Sequence, residues 1–141
     1  MLLIKNVELY TPEYAHNQDV LIVNDKIAAI GNIDNALPFD DVSVIDGKGC
    51  RCIPGLIDQH VHITGGGGES GFASRVPELK LSDCIKAGVT TVVGLLGTDS
   101  QTRSVENLVA KTKALNEEGI TAYCLTGAYD YPSPTISGDV Y

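Results

Sequence analysis

The chain has 141 residues, with 18 acidic against 10 basic and a formal net charge of −8. No basic cluster interrupts that acidity, so neither nucleic acid nor an anionic membrane surface is expected as a partner. No run approaches the roughly 20 apolar residues that span a bilayer, and Met1-Leu2-Leu3-Ile4-Lys5-Asn6 turns polar too early for a secretory leader.

Residues 1 to about 53 read as short strands. Leu2-Leu3-Ile4 and Val7-Glu8-Leu9-Tyr10 come first, followed by a polar segment in which His16 reads as a surface turn residue. Asp19 to Val23 and Lys26 to Ile30 flank Asn24-Asp25, the pattern of a β-hairpin with a two-residue turn. Asn32 to Asp41 is polar and broken by Pro38, and Val42 to Asp46 is a further strand. The Asn and Asp residues here serve turns better than catalysis. Cys50, Cys52, Cys84 and Cys124 sit among apolar neighbours. The single residue between Cys50 and Cys52 is too short for the usual structural zinc spacing. All four cysteines are expected as buried, reduced thiols of a cytoplasmic protein.

From about residue 54 the rhythm becomes strand, helix, strand. An apolar run through Ile57 leads to His60 and His62 and predicts a buried strand. Pro77 to Ala87 has helical apolar spacing and stops at Gly88; Val89 to Leu96 is a β-branched strand; Ser104 to Glu118 is a helix closed by Gly119; Ile120 to Thr126 is a third strand. Continuous apolar strands alternating with amphipathic helices predict a parallel sheet covered by helices.

His60 and His62 are the densest signal. Residues two apart on a strand share a face, so two imidazoles there can close on one metal ion. A His-x-His pair also occurs where no metal binds. The context favours a metal: the pair lies where an apolar strand meets Gly65-Gly66-Gly67-Gly68-Glu69, which predicts a flexible acidic loop. Glycines let the backbone approach a ligand closely and offer N–H donors. Glu69 is then either a solvated loop acid or a ligand-binding one. Thr98 reads as a turn or cap residue or as a hydroxyl at a strand end, with Asp99 and Ser100 serving the helix start. Tyr129 reads as packing or as a residue of the same rim. Every candidate follows the C-terminal end of a strand, where βα proteins place their chemistry.

The whole chain resembles the amidohydrolase superfamily, and more closely its isoaspartyl (β-aspartyl) dipeptidases. The broad signal is Val44-Ile45-Asp46-Gly47-Lys48-Gly49 followed by Ile53-Pro54-Gly55-Leu56-Ile57-Asp58-Gln59-His60-Val61-His62. The narrower one combines the Gly65–Glu69 loop, Val93-Gly94-Leu95-Leu96-Gly97-Thr98-Asp99-Ser100 and Leu125-Thr126-Gly127-Ala128-Tyr129.

The resemblance implies an α/β fold: the start of a (β/α)8 TIM-like barrel preceded by a small β-sandwich domain. On that reading residues 1–53 belong to the sandwich and residues 54–141 form the first three β/α units, an incomplete fragment of the fold. Its other units would come from the remainder of the same polypeptide or a companion chain, since a lone three-unit piece leaves sheet edges bare. The resemblance further implies zinc in a binuclear site. His60 and His62 would be ligands, and the others, including a carboxylated lysine, would lie beyond this chain. It gives Glu69 the substrate's α-ammonium, Gly67 a backbone contact, Thr98 a hydroxyl contact, and Tyr129 the role of stabilising the developing oxyanion. The implied activity is hydrolysis of β-aspartyl dipeptides, in a cytoplasmic homo-oligomer. Arg75 and Arg103 are expected not to read the substrate's carboxylate. The alternatives are a dihydroorotase-like or hydantoinase-like cyclic amide hydrolase, or a catalytically silent relative with an assembly role.

Overall fold

The computed structural model describes residues 1–34 and 40–139. Pro38, the expected break in the polar segment, lies outside the described residues. The chain divides into two compact units, Met1–Pro54 and a second from Gly55 onward. No helix among the described residues is long and apolar enough to cross a membrane.

The first unit is a five-stranded mixed sheet. Strands β1 (Leu2–Tyr10), β2 (Tyr14–Val23) and β3 (Lys26–Gly31) run antiparallel in sequence, while β4 (Ser43–Asp46) and β5 (Arg51–Cys52) pair in parallel with β1. The two strands expected before residue 11 are one strand, interrupted where its register shifts between Ile4 and Val7. Asn6 occupies the irregularity at φ 59, a left-handed conformation that asparagine tolerates better than most residues. The turn at Asn24-Asp25 forms as the hairpin pattern requires, with Asn24 at φ 56. His16 is not in a turn. It lies within β2 at a second irregularity, at φ 63, with its exposed ring edge-on to Tyr14 at 5.1 Å. Among the described residues, Leu3, Val7, Leu9 and Val20 are the buried apolar side chains of this sheet.

Asp19 is the buried acid of the unit. Burial opposes its ionisation, but the backbone N–H groups of Ile33 and Asn6 and the Lys5 ammonium outweigh it and hold the carboxyl below its usual range. Lys5 Nζ stands 3.3 Å from Asp19 Oδ2 and also donates to the Ile33 carbonyl at 2.8 Å. The cage ties β1, β2 and the segment after β3 into one piece.

The second unit is a three-stranded parallel sheet in the order β6-β7-β8, from β6 (Leu56–Val61), β7 (Val89–Gly94) and β8 (Thr121–Cys124). Parallel neighbours need crossovers, here α1 (Leu81–Ala87) and α2 (Val105–Glu117). Helix α2 starts where the Ser104 side chain accepts from the Asn107 N–H at 3.2 Å, a standard N-cap. Its buried residues, Val105, Leu108, Thr112 and Leu115, form one stripe. At its other end Asn116 exchanges hydrogen bonds with the Ala122 backbone, at 2.8 and 3.0 Å, fastening helix to strand. Helix α1 is shorter than the sequence spacing predicts. Leu79 N–H donates to the Ile63 carbonyl at 3.1 Å, so the approach to the helix runs extended. Gly88 ends α1 at φ 72, a left-handed cap.

Ile63, Val92, Leu108 and Leu115 are fully buried between helices and sheet, each contributing roughly 1.5–3 kcal/mol of apolar transfer. The strand leading to the histidines is not buried as expected. Leu56 is 48% and Ile57 61% exposed, and Tyr123 and Leu125 are likewise exposed at 61% and 53%. Tyr123 and Leu125, two apart, lie on one sheet face and stay open, whereas Leu56 and Ile57, neighbours on alternate faces, are both open at the start of β6, an edge strand of this sheet. The cysteines also depart from expectation. All four are free, but only Cys84, packed in the helix–sheet core, is buried. There burial, chiefly, pushes its thiol pKa up. Cys50 is exposed in the short turn where its N–H donates to the Gly47 carbonyl.

Candidate active site

His60 lies in β6 and His62 follows the strand's last residue. Their ring centroids are 5.5 Å apart with planes at 75°, so the two imidazoles face one region. His62 Nδ1 lies 3.1 Å from the Leu95 carbonyl oxygen. That oxygen can only accept, so Nδ1 is the donor of this contact and Nε2 takes no part in it. Two glycines hold the ring. A Cβ on Gly66 would come 3.1 Å from His62 Cδ2, and one on Gly97 would come 3.3–3.4 Å from His62 Cε1, Nδ1 and Nε2. A ring oriented by a carbonyl on one nitrogen and free on the other is how proteins present imidazole to a metal. The donor chemistry therefore fits a divalent ion. It fits as part of a site: among the described residues no group of three or more His, Cys, Asp or Glu is placed to hold one, whereas a catalytic zinc takes three protein ligands and a water.

The glycine loop is compact and hydrogen-bonded. Gly65 N–H donates to the His62 carbonyl, Val76 N–H to Gly66, Gly71 N–H to Gly68 and Ser74 N–H to Gly71, all at 2.8–3.0 Å. Gly68 N–H donates to Ser74 Oγ at 3.1 Å. The glycines are required by close packing. At φ 70, Gly67 passes so near Ser74 that a Cβ would come 2.4 Å from its carbonyl oxygen, and a Cβ on Gly65 would come 2.3 Å from that of Val76.

This loop delivers Glu69 to Thr98. Thr98 Oγ1 donates to Glu69 Oε1 at 2.8 Å. Glu69's own N–H and the Thr98 hydroxyl, helped by the nearby His62, hold its carboxyl below the usual range against some desolvation. Its carboxylate is thus ionised throughout the neutral range. A hollow of about 220 Å³ beside the pair is lined by Gly68, Glu69, Phe72, Thr98, Ser100 and Asp130 among others. His62, Glu69 and Thr98 are brought together, with His60 alongside His62. Tyr129 is 78% exposed and lines a separate groove of about 270 Å³ with Leu95 and Leu125. The groove and the histidines share Leu95, whose carbonyl orients His62.

Sequence reasoning missed the ionic cluster behind this site. Asp99 does not cap α2, since Ser104 does. Asp99 accepts instead from the Thr102 hydroxyl and from the Thr102 N–H at 3.0 Å, an Asx-type turn that the Asp-x-x-Thr spacing could have signalled. Its Oδ2 also meets Arg75 Nε at 3.2 Å and Arg103 Nη1 at 3.3 Å. The Thr102 contacts, aided by both guanidinium groups, keep the Asp99 carboxyl ionised despite its burial. Ser100 is likewise not a helix-start residue; its hydroxyl donates to Asp130 Oδ2.

No family model matches the sequence. A dihydroorotase from Halalkalibacterium halodurans is 35% identical over 120 residues, which is 84% of this chain and 26% of that protein. The solved structure of a β-aspartyl dipeptidase from Fervidobacterium islandicum, in complex with β-Asp-Leu dipeptide, superposes with a TM-score of 0.87 at 50% identity. That match covers 99% of this chain and 36% of the other. A D-hydantoinase from a Thermus species aligns with a TM-score of 0.60 at 22% identity over 93% of this chain and 29% of its own, a likeness of fold alone. The chain thus spans about a quarter of the curated relative and about a third of the dipeptidase structure, and its open parallel sheet is an incomplete part of their barrel. In sequence and in fold, the chain is recognised as a portion of an amidohydrolase-superfamily protein, similar over nearly its whole length to part of a β-aspartyl dipeptidase.

Proposed function

We propose that this chain supplies the histidine pair and the ammonium-reading half of a zinc-dependent β-aspartyl dipeptidase. The observation that carries the reading is the Thr98–Glu69 hydrogen bond at 2.8 Å, set beside paired imidazoles. It is supported by 50% identity to a β-aspartyl dipeptidase solved with β-Asp-Leu. His60 and His62 would hold the ion within a binuclear centre whose other ligands, a carboxylated lysine among them, lie outside this chain. When bound, such an ion polarises the amide carbonyl and acidifies water to a pKa of about 7.

The chain's own residues do the recognition. An isoaspartyl residue keeps both its α-ammonium and its α-carboxylate free. Glu69, ionised at neutral pH, takes the ammonium, and charge-assisted hydrogen bonds are about twice as strong as neutral ones. Thr98 donates to one oxygen of Glu69 and so fixes the orientation of the other. Gly67, two residues before Glu69, offers a backbone contact. Tyr129 donates a hydrogen bond from its hydroxyl to the scissile carbonyl oxygen as negative charge develops there. Neither Arg75 nor Arg103 takes the substrate carboxylate, because both are engaged with Asp99; that role falls to cations elsewhere in the barrel. The working unit is a homo-oligomer of the complete barrel, acting in the cytoplasm.

A second reading, cyclic amide hydrolysis, is favoured by the 35% identity to a dihydroorotase. The full-length protein is to be assayed on β-Asp-Leu, its N-acetyl derivative and dihydroorotate. β-Asp-Leu should be turned over, and Glu69→Gln should lower kcat/KM by roughly 10–100-fold, the worth of a hydrogen bond to a charged group. Equal rates on the N-acetyl dipeptide would remove Glu69 from recognition. Turnover of dihydroorotate alone would transfer the assignment to the second reading.

A further inference from the structure

We propose that Arg103 is a positioning residue, which clamps the glycine loop to the loop after β7 so that Glu69 meets Thr98. The inference rests on the proposed use of Glu69 and Thr98 for substrate and adds a residue neither the sequence motifs nor the similarities assign.

Arg103 has a side chain only 5% exposed, and its three nitrogens reach two backbone carbonyls and one carboxylate, on three different segments. Nε donates to the Thr64 carbonyl at 3.0 Å, at the entry of the glycine loop. Nη2 donates to the Val76 carbonyl at 3.1 Å, at its exit. Nη1 reaches Asp99 Oδ2 at 3.3 Å, in the loop that carries Thr98. Asp99 extends the clamp through Arg75 Nε at 3.2 Å, which again belongs to the end of the glycine loop. The two loops also touch where the site begins, since a Cβ on Gly68 would lie 3.5 Å from Asp99 Cβ. Gly68 precedes Glu69, and Asp99 follows Thr98. Gly65 completes the fit: a Cβ there would come 2.8 Å from Arg103 Nη2, so glycine admits the guanidinium.

Only a planar fork can serve three acceptors in this way. A lysine ammonium is a point donor on a flexible stem and cannot hold all three. The charge itself is consumed inside, on Asp99 and two carbonyls, so Arg103 acts through Glu69 and Thr98 rather than on substrate.

The test uses the full-length protein with Arg103→Lys, Arg103→Met and Asp99→Asn. Kinetics are measured on β-Asp-Leu at a temperature where each variant is folded, and crystal structures report the Glu69–Thr98 distance. The expected result is that Arg103→Lys raises KM by roughly tenfold or more, with a smaller change in kcat. The Glu69 Oε1 to Thr98 Oγ1 contact of 2.8 Å should open in all three. A lowered melting temperature with wild-type KM and an intact Glu69–Thr98 bond would leave Arg103 a merely structural residue and overturn the proposal. If Arg103→Met does not fold, Asp99→Asn, which removes the ion pair and keeps the shape, decides. If the wild-type protein leaves β-Asp-Leu untouched, the dipeptidase reading fails, while the distance in the variants still decides the clamp.

Discussion

Asp19 and Asp99 are acids of the same construction in different halves of the molecule. Each side chain is almost fully removed from solvent, each accepts backbone N–H, and each faces cationic charge: Lys5 for Asp19, Arg75 and Arg103 for Asp99. Asp19 fastens strand to strand and leads nowhere further: its partners are Lys5, Asn6 and Ile33. Asp99 stands next in sequence to Thr98, which donates to Glu69. A caged carboxylate is therefore not in itself a sign of function. What decides is what the next residue along the chain touches.

This contrast can be broken experimentally. The largest effect belongs to the histidines. His60→Ala or His62→Ala should remove bound divalent metal from the full-length protein and cut kcat/KM by more than the roughly 10–100-fold expected from losing a mere supporting partner. Elemental analysis that finds full metal occupancy in both variants would sink the metal assignment. Next is Leu3→Ala in the first unit, where Leu3 is 0% exposed. Truncating such a side chain costs about 2–5 kcal/mol, read by denaturant unfolding. Turnover below the melting range should be unchanged; an altered KM would mean that the first unit also shapes the site.

The smallest effect sharpens the comparison directly. Asp19 has its folded-state pKa lowered, so its ionised form stabilises the fold. That contribution is complete above the unfolded value of about 3.9 and fades as pH falls through the lower folded value. Asp19→Asn should lower Tm by a few degrees near neutrality, with the gap to wild type narrowing in acid and kcat/KM unaltered. A gap that instead widened on acidification would contradict the caged-carboxylate account.

The sequence was most legible where structure is local. Ser104 and Gly88 mark helix ends because capping is decided within a turn, and Asn24-Asp25 marks the hairpin for the same reason. The histidine spacing placed two rings side by side. It was less legible where a strand is irregular. The bulge at Asn6 made one strand read as two, and the polar stretch through His16 hid the first half of β2. Long-range contacts left no signature at all. Thr64 and Arg103 are 39 residues apart, and nothing local to either forecasts their bond. The glycine run suggested mobility because isolated glycines are permissive, yet here their missing side chains let neighbouring backbone close in.

The wedge of Gly66 and Gly97 around His62 has an entropic meaning. An imidazole packed between two bare backbones is set in orientation by the fold itself. Under the proposed metal role, an ion at that ring would find little left to order, whereas the exposed His60 would still have rotamer freedom to lose.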